Sequence, residues 1–361
     1  MSFRWPVDVD ELFDERFAQM TNTGLPVDDV VSVRNRIDSM WAEGPGGWVS
    51  EWSVLAHSYA EAGAHLQASL AYGWAKFPCL ADPAKHAALA AQLEQYELAA
   101  PNFGVQFERR VVTVEVGKET TAVPIHLFAV DDLAAERPVL MISGGVDTWK
   151  MDIHGLAMVM TMGIVPAMTV LAFDIPGTGE SSVPMSGSQG GAVVESLVAI
   201  ARDLGNGTVV HFGMSMGGYF SARTGLSAAV DAAVVLGGPV CAAFSGGVPE
   251  HFGMNGIVGN ALGFDHEPTE DEAAPVYAEM TLAGLLDRDE NSPMLVINGA
   301  DDVHVPQSDT TVFRNRRDTE VHLIPDAGHC AISELSTVLT LTAEWMTRTV
   351  PRLTSTTQSK P

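Results

Sequence analysis

The chain has 361 residues, 46% of them hydrophobic, enough to bury a core in one large or two smaller domains. Its 45 acidic and 20 basic residues leave a net charge of -25, which argues against nucleic-acid backbones and anionic membranes as partners. Three cysteines, Cys79, Cys241 and Cys330, lie far apart without C-x-x-C spacing, so neither a disulfide framework nor a zinc site is implied.

The stretch from Met1 to Asp10 turns acidic at once and has no apolar run of signal-peptide length, which reads as a cytoplasmic protein. Apolar residues then recur at mixed three and four spacing over Asp28 to Glu43, Trp48 to Ala62, Ala64 to Phe77 and Asp82 to Leu98, predicting successive amphipathic helices. Asp82 supplies an N-cap with Pro83 at the first helical position, and Gly44-Pro-Gly-Gly47 marks a break. Trp41, Trp48, Trp52, Tyr59, Tyr72 and Trp74 are expected to build this segment's own core, a ligand-stacking face being the other use of such rings. Pro101-Asn-Phe-Gly104 is the expected linker, so residues 1–104 form a helical lid domain ahead of a catalytic domain over 105–350.

From Val105 the period changes to two. Phe107 to Val116 and Thr121 to Val130 predict paired strands around Gly117-Lys-Glu-Thr120, and Pro138 to Ser143 predicts a short buried strand ending in Gly144-Gly145-Val-Asp-Thr-Trp149. Gly155 to Phe173 carries no charge and approaches membrane-span length. Gly163 and Pro166 divide it, however, into a Met-rich helix and a strand, Thr169 to Phe173, so a buried αβ step is expected instead. The strand leads into Asp174-Ile-Pro-Gly-Thr-Gly-Glu-Ser181, a polar glycine turn that lacks the third glycine and the directly following helix of a dinucleotide fingerprint.

Thr208-Val-Val210 predicts the next strand, followed by His211-Phe-Gly-Met-Ser-Met-Gly-Gly-Tyr219, a G-x-S-x-G on a strand-to-helix turn. Ser215 is therefore the candidate nucleophile. Ala232 to Leu236 is a further strand, and residues 240–287, rich in Gly, Pro, Met and Phe, read as a short inserted cap. Phe244, Phe252 and Met254 are candidate substrate contacts there, with Gly145 and Trp149 on the loop after the Pro138 to Ser143 strand. Pro293 to Asp302 and Glu320 to His329 are strands ending in loops that carry two carboxylates and a Gly-His pair. Glu334 to Val350 predicts the last helix and 351–361 a polar, disordered tail.

A serine hydroxyl is a poor nucleophile until an imidazole takes its proton, and the imidazole needs a carboxylate to fix its tautomer. Ser215, then Asp302 or Asp301, then His329, all at strand ends, supply those types in the chain order of α/β-hydrolases. The competing reading of His329 is a helix cap near Glu334. His304 and His322 are expected to be a loop and an alternating strand residue. The backbone N–H groups of Val146 and Met216 are the candidate oxyanion donors by position.

Together, Trp52, Tyr72-Gly-Trp74, Ile142-Ser-Gly-Gly-Val-Asp-Thr-Trp-Lys150, Phe173-Asp-Ile-Pro-Gly-Thr-Gly-Glu180 and Gly213-Met-Ser-Met-Gly-Gly218 resemble one branch of the α/β-hydrolases. That branch holds 2,6-dihydroxypseudooxynicotine hydrolase, fungal pigment polyketide-shortening hydrolases and the fermentation-respiration switch protein. The resemblance implies a doubly wound, mostly parallel α/β sheet whose helical N-terminal domain roofs the catalytic site. It also favours Asp302 over Asp301, since the acid usually stands three residues after the strand-end glycine, here Gly299. It implies carbon–carbon bond hydrolysis next to a carbonyl in an aromatic or polyketide-like small molecule. Carboxylesterase or lactonase activity, acyl transfer or cyclisation, and non-catalytic ligand binding are the alternatives. No metal or organic cofactor is implied, since H-E-x-x-H, a cysteine cluster and a phosphate loop are all lacking. The expected partner is an uncharged or aromatic small molecule, with no nucleic acid and no membrane, and a homodimer is left open.

Overall fold

The computed structural model describes residues 3–245 and 253–357, and divides into two compact units. The first comprises Met1–Gly104, Met151–Gly155 and Val248–Thr269; the second comprises Val105–Lys150, Leu156–Gly247 and Glu270–Pro361. The segment expected as a short inserted cap is thus shared, its middle going with the helical unit and its flanks with the other. No described helix is long and apolar enough to cross a membrane.

The helical unit contains α1 (Val9–Asn22), α2 (Val27–Arg34), α3 (Trp48–Glu61), α4 (His65–Lys76) and α5 (Pro83–Ala99). Asp8 caps α1 by accepting the N–H groups of Asp10 and Glu11, both at 3.0 Å, and Asp82 caps α5 through Lys85 N–H at 3.0 Å. Trp48, Trp52, Phe13, Trp74 and Phe77 are buried together, with Trp41, Tyr59 and Tyr72 partly buried against them. Two differences from expectation stand out. Helix α1 was not anticipated, and α2 stops at Arg34 rather than Glu43. Beyond Arg34 the chain folds back through a Ser39–Gly47 bridge, and Glu51 ties the turn by accepting Arg36 Nε at 2.8 Å and Gly46 N–H at 2.9 Å. Ile37 and Met40 are therefore buried from a loop, although their spacing mimics a helical face.

The remaining segments of this unit are held by polar contacts across long sequence distances. Asp152 accepts Lys76 Nζ at 2.6 Å and Gln92 Nε2 at 2.7 Å, and the indole N–H of Trp5 donates to Gly253 O at 2.9 Å.

The second unit is built on one eight-stranded sheet: β1 (Gln106–Val116), β2 (Glu119–Ala129), β3 (Val139–Ser143), β4 (Thr169–Phe173), β5 (Val209–Met214), β6 (Ala232–Leu236), β7 (Met294–Gly299) and β8 (Thr319–Ile324). Their order is β1-β2-β4-β3-β5-β6-β7-β8, with β2 antiparallel to both its neighbours, β1 and β4, and every other pair parallel. Every residue of β3, β4, β6 and β7 is buried, as strands covered on both faces demand. Val116 pairs with Glu119 across a turn of two residues, Gly117 and Lys118, and φ of +66° at Gly117 is the left-handed conformation such hairpins need. The Met-rich segment forms a helix, His154–Val159, running into a π-helical turn, Met160–Ile164. The last helix, Leu335–Thr357, continues past Pro351, so the expected tail begins later. A proline removes one backbone donor and bends a helix but does not always end it. Residues 358–361 lie outside the described residues.

Candidate active site

Ser215 sits between β5 and the helix Met216–Leu226 with φ 56° and ψ -124°, a strained conformation for a residue with a side chain. Two hydrogen bonds hold it there: its N–H donates to Leu236 O at the end of β6, and Gly218 N–H donates to its carbonyl, both at 2.7 Å. Close packing explains the flanking glycines. A Cβ on Gly213 would lie 2.0 Å from Gly217 O, and one on Gly217 would lie 2.4 Å from Gly144 O. The turn is thus pressed against itself and against the loop after β3, which pushes the serine side chain out at the carboxyl end of the sheet.

His329 follows β8 and Asp302 follows β7. The Ser215 hydroxyl lies 2.9 Å from His329 Nε2, and His329 Nδ1 donates to Asp302 Oδ2 at 2.8 Å. Asp301 is exposed and its backbone N–H donates to Ala327 O at 2.9 Å, so Asp302 is the carboxylate brought to the imidazole. Although His329 opens the 3-10 turn His329–Glu334, its ring nitrogens face the serine and the carboxylate rather than backbone groups.

The Asp302 side chain is fully buried and its two oxygens accept four hydrogen bonds. Oδ2 takes His329 and, at 2.7 Å, Asn298 Nδ2, while Oδ1 takes the N–H groups of His304 at 2.8 Å and Val305 at 3.1 Å. Burial alone would raise this carboxyl, but the bonds and charge of His329, with Asn298 and the His304 N–H, hold it below the usual aspartate range. Burial would likewise push the imidazolium of His329 down. The adjoining Cys330 sulfur and the Asp302 carboxylate act the other way and hold it well above the ordinary histidine value. The direction follows chiefly from Asp302, whose carboxylate accepts the Nδ1 proton of the imidazole at 2.8 Å.

Gly145 brings the β3 loop against the serine: a Cβ there would lie 2.9 Å from Ser215 Cβ and 3.1 Å from Oγ. Val146 is next in the chain, buried, and Met216 is the first residue of the helix, a position whose N–H has no intrahelical acceptor. Both amides therefore belong to backbone that borders Ser215, on the loop side and on the helix side. The loop is fixed by its own side chains. Trp149 Nε1 donates to Val146 O at 2.9 Å, and Lys150, fully buried, ends the loop with its Nζ 2.5 Å from Asp174 Oδ2 and 2.8 Å from Glu180 Oε2. Asp174 also accepts Lys150 N–H at 2.8 Å and Glu180 N–H at 3.0 Å, and Arg109 reaches Glu180 Oε1 at 2.6 Å. The turn from Asp174 to Ser181 is thus a carboxylate-lined anchor for the loop, more than the plain polar turn its sequence suggests.

The remaining candidates separate. Phe244 packs edge-on against Tyr219 and Tyr277 at ring distances of 5.5 and 5.9 Å. Its short 3-10 turn is gripped by Asp309, which accepts the N–H groups of Val240, Cys241, Ala242 and Ala243 at 2.6 to 3.2 Å. Met254 is buried in the helix Met254–Ala261 of the helical unit, and Phe252 lies outside the described residues. His304, expected as a plain loop residue, sets its ring edge-to-face with His329 at 5.2 Å; His322 lies in β8. Asn298, Lys150, Asp174 and Asp309 were not singled out from sequence. A trace existed for Asn298, a polar residue closing the apolar run Met294 to Ile297, whereas the others act through partners far away in the chain.

The family model described as FrsA-like, "Esterase FrsA-like", matches residues 34–350. Among solved structures, "AbyA5 Wildtype" superposes with a TM-score of 0.77 at 18% identity, covering 97% of this chain and 98% of that one. A structure of "2,6-dihydroxy-pseudo-oxynicotine Hydrolase" gives 0.74 at 19% identity, with 92% and 95% covered. At such identities the likeness is one of fold, and it extends over nearly the whole chain in both cases. No curated protein sequence matches.

Proposed function

The chain belongs to the FrsA-like esterase family, hydrolases with the α/β-hydrolase fold, and from that premise we propose that Ser215, His329 and Asp302 carry its hydrolysis as nucleophile, general base and orienting acid. The observation that supports this most is the unbroken run of contacts from Ser215 Oγ to His329 Nε2 at 2.9 Å and from His329 Nδ1 to Asp302 Oδ2 at 2.8 Å. Ser215 Oγ bonds to an acyl carbonyl carbon while its proton passes to His329 Nε2, and the amides of Val146 and Met216 receive the developing oxyanion. The imidazolium then protonates the departing alcohol, and water repeats the sequence to release the acid. The proposed substrate is an uncharged or aromatic acyl compound, in keeping with a chain of net charge -25.

A second reading is cleavage of a carbon–carbon bond next to the carbonyl. It follows from the sequence resemblance carried by the motifs over 142–150, 173–180 and 213–218. The serine attack is the same; the bond that breaks is C–C, its electron pair leaves on a carbon stabilised by the neighbouring carbonyl or phenol, and His329 returns the proton to that carbon. Incubating the protein with an aryl ester and with an acyl-phenol ketone separates the two, while Ser215→Ala tests the shared step. Loss of turnover in S215A is expected. Turnover of esters alone sinks the carbon–carbon reading, and an active S215A sinks both.

A further inference from the structure

Asn298 is the fifth residue of β7, four positions before Asp302 and fully buried. Its carboxamide is used at both ends. Nδ2 donates to Asp302 Oδ2 at 2.7 Å, the oxygen that also accepts from His329. Oδ1 accepts Cys330 N–H at 3.0 Å, from the residue directly after His329, and Gly299 N–H at 2.9 Å. One side chain therefore touches the acid and the backbone that carries the histidine. The orientation of the amide follows from its partners, because a carboxylate can only accept and a peptide N–H can only donate.

The histidine end needs such a partner. Cys330 and Ala331 are both left-handed, with φ of 56° and 48°, and two consecutive residues with side chains hold that conformation only where their surroundings fix it. Cys330 is tied on two sides, its N–H to Asn298 and its Sγ donating to Leu236 O at 3.5 Å. The Asn298 side chain joins this tight turn to the Asp302 carboxylate. The carboxamide offers a donor toward Asp302 and an acceptor toward Cys330 from one position: aspartate would set a second carboxylate against the first, and leucine would remove one donor from Asp302 and take the acceptor from the Cys330 N–H.

We propose that Asn298 is a positioning residue that holds the Asp302 carboxylate and the His329 loop in the register at which the imidazole reaches Ser215. The proposal rests on the triad reading above and acts through Asp302 and His329 without touching substrate. It makes the effect of Asn298 conditional on the carboxylate, which an ordinary packing role does not.

The test uses the full chain with Asn298→Ala, Asn298→Asp, Asp302→Asn and the N298A/D302N double variant, each checked for folding by circular dichroism. With p-nitrophenyl butyrate, N298A is expected to lose about 10- to 100-fold in kcat with KM within about twofold, as for small misplacements of catalytic groups. In the D302N background the same change is expected to cost under about threefold, since the two residues act in one network. N298D keeps the acceptor for Cys330 and is expected to fold even where N298A does not. Its added carboxylate, facing Asp302, His329 and Cys330 with the His304 ring beyond, moves the acid limb of kcat/KM to higher pH. A folded N298A with unchanged kcat, an N298A loss that simply multiplies with that of D302N, or an N298D profile unmoved along the pH axis overturns the proposal. An inactive S215A beside a fully active N298A refutes the role of Asn298 alone, whereas an active S215A refutes the triad reading from which it starts.

Discussion

Gly145→Ala adds one methyl group at the point where the β3 loop meets Ser215, the proposed nucleophile. The new Cβ would stand 2.9 Å from Ser215 Cβ, about 0.6 Å inside the optimum separation of two carbons. Ser215 Cβ cannot rotate away, because it is fixed to a backbone pinned by two hydrogen bonds of 2.7 Å. The loop or the serine must therefore shift by several tenths of an ångström. A 1 Å misplacement costs about 100-fold, so a loss of about 10- to 100-fold in kcat is expected. Gly145 is not in the left-handed region, so alanine strains no backbone dihedral, and overpacking of about 1–3 kcal/mol is the expected stability cost. Turnover of p-nitrophenyl butyrate, the rate of Ser215 labelling by a fluorophosphonate and the urea midpoint report the three effects. Gly284→Ala, where a Cβ meets nothing within 4 Å, is the control. A folded G145A with kcat within about twofold of the parent would refute the view that the loop backbone at 145 is fitted to Ser215.

Lys150→Met removes the buried ammonium that bridges Asp174 and Glu180 and leaves the Arg109–Glu180 pair behind, so urea denaturation is expected to show a loss of about 3–5 kcal/mol. A change under about 1 kcal/mol means that the ion cluster is not what anchors the loop. The pH dependence follows from the dyad. In the proposed mechanism His329 must be neutral to accept the serine proton, and its folded pKa is raised, so kcat/KM for a neutral ester is expected to climb through an apparent value above about 6.5. An acid limb at or below that value contradicts the assignment. In stability the signs are opposite: the Asp302 share is lost as pH falls through its lowered folded pKa, and the His329 share is lost as pH rises through its raised one.

The parts of the fold that local pattern controls were legible in the sequence. Thr169 to Phe173 and Ala232 to Leu236 are apolar, β-branched runs between breakers, and both are strands with those ends. Ser215, Asp302 and His329 could be named because each stands just beyond such a strand, and the structure brings their side chains together. Where period and packing disagreed, sequence reading failed. Ile37 and Met40 keep helical spacing, yet the bridge from Ser39 to Gly47 and the ties to Glu51 fold their segment into a loop. The supports of the site were invisible for a different reason. Lys150 meets Asp174 24 residues away, and Asn298 meets Cys330 32 residues away; such pairings leave no periodic mark in the chain.

The helical unit is assembled from three separated stretches of chain, and this bears on how it can be made. The first hundred residues leave the ribosome with Lys76 and Gln92 lacking the carboxylate of Asp152, and with the Trp5 indole lacking the carbonyl of Gly253. The contacts of α4 and α5 with Asp152 can therefore form only once residue 152 has been synthesised. The Trp5 contact must wait about a hundred residues more. During those intervals the strands from β1 to β6 are synthesised, so the last contacts within the helical unit form only after most of the sheet has been made.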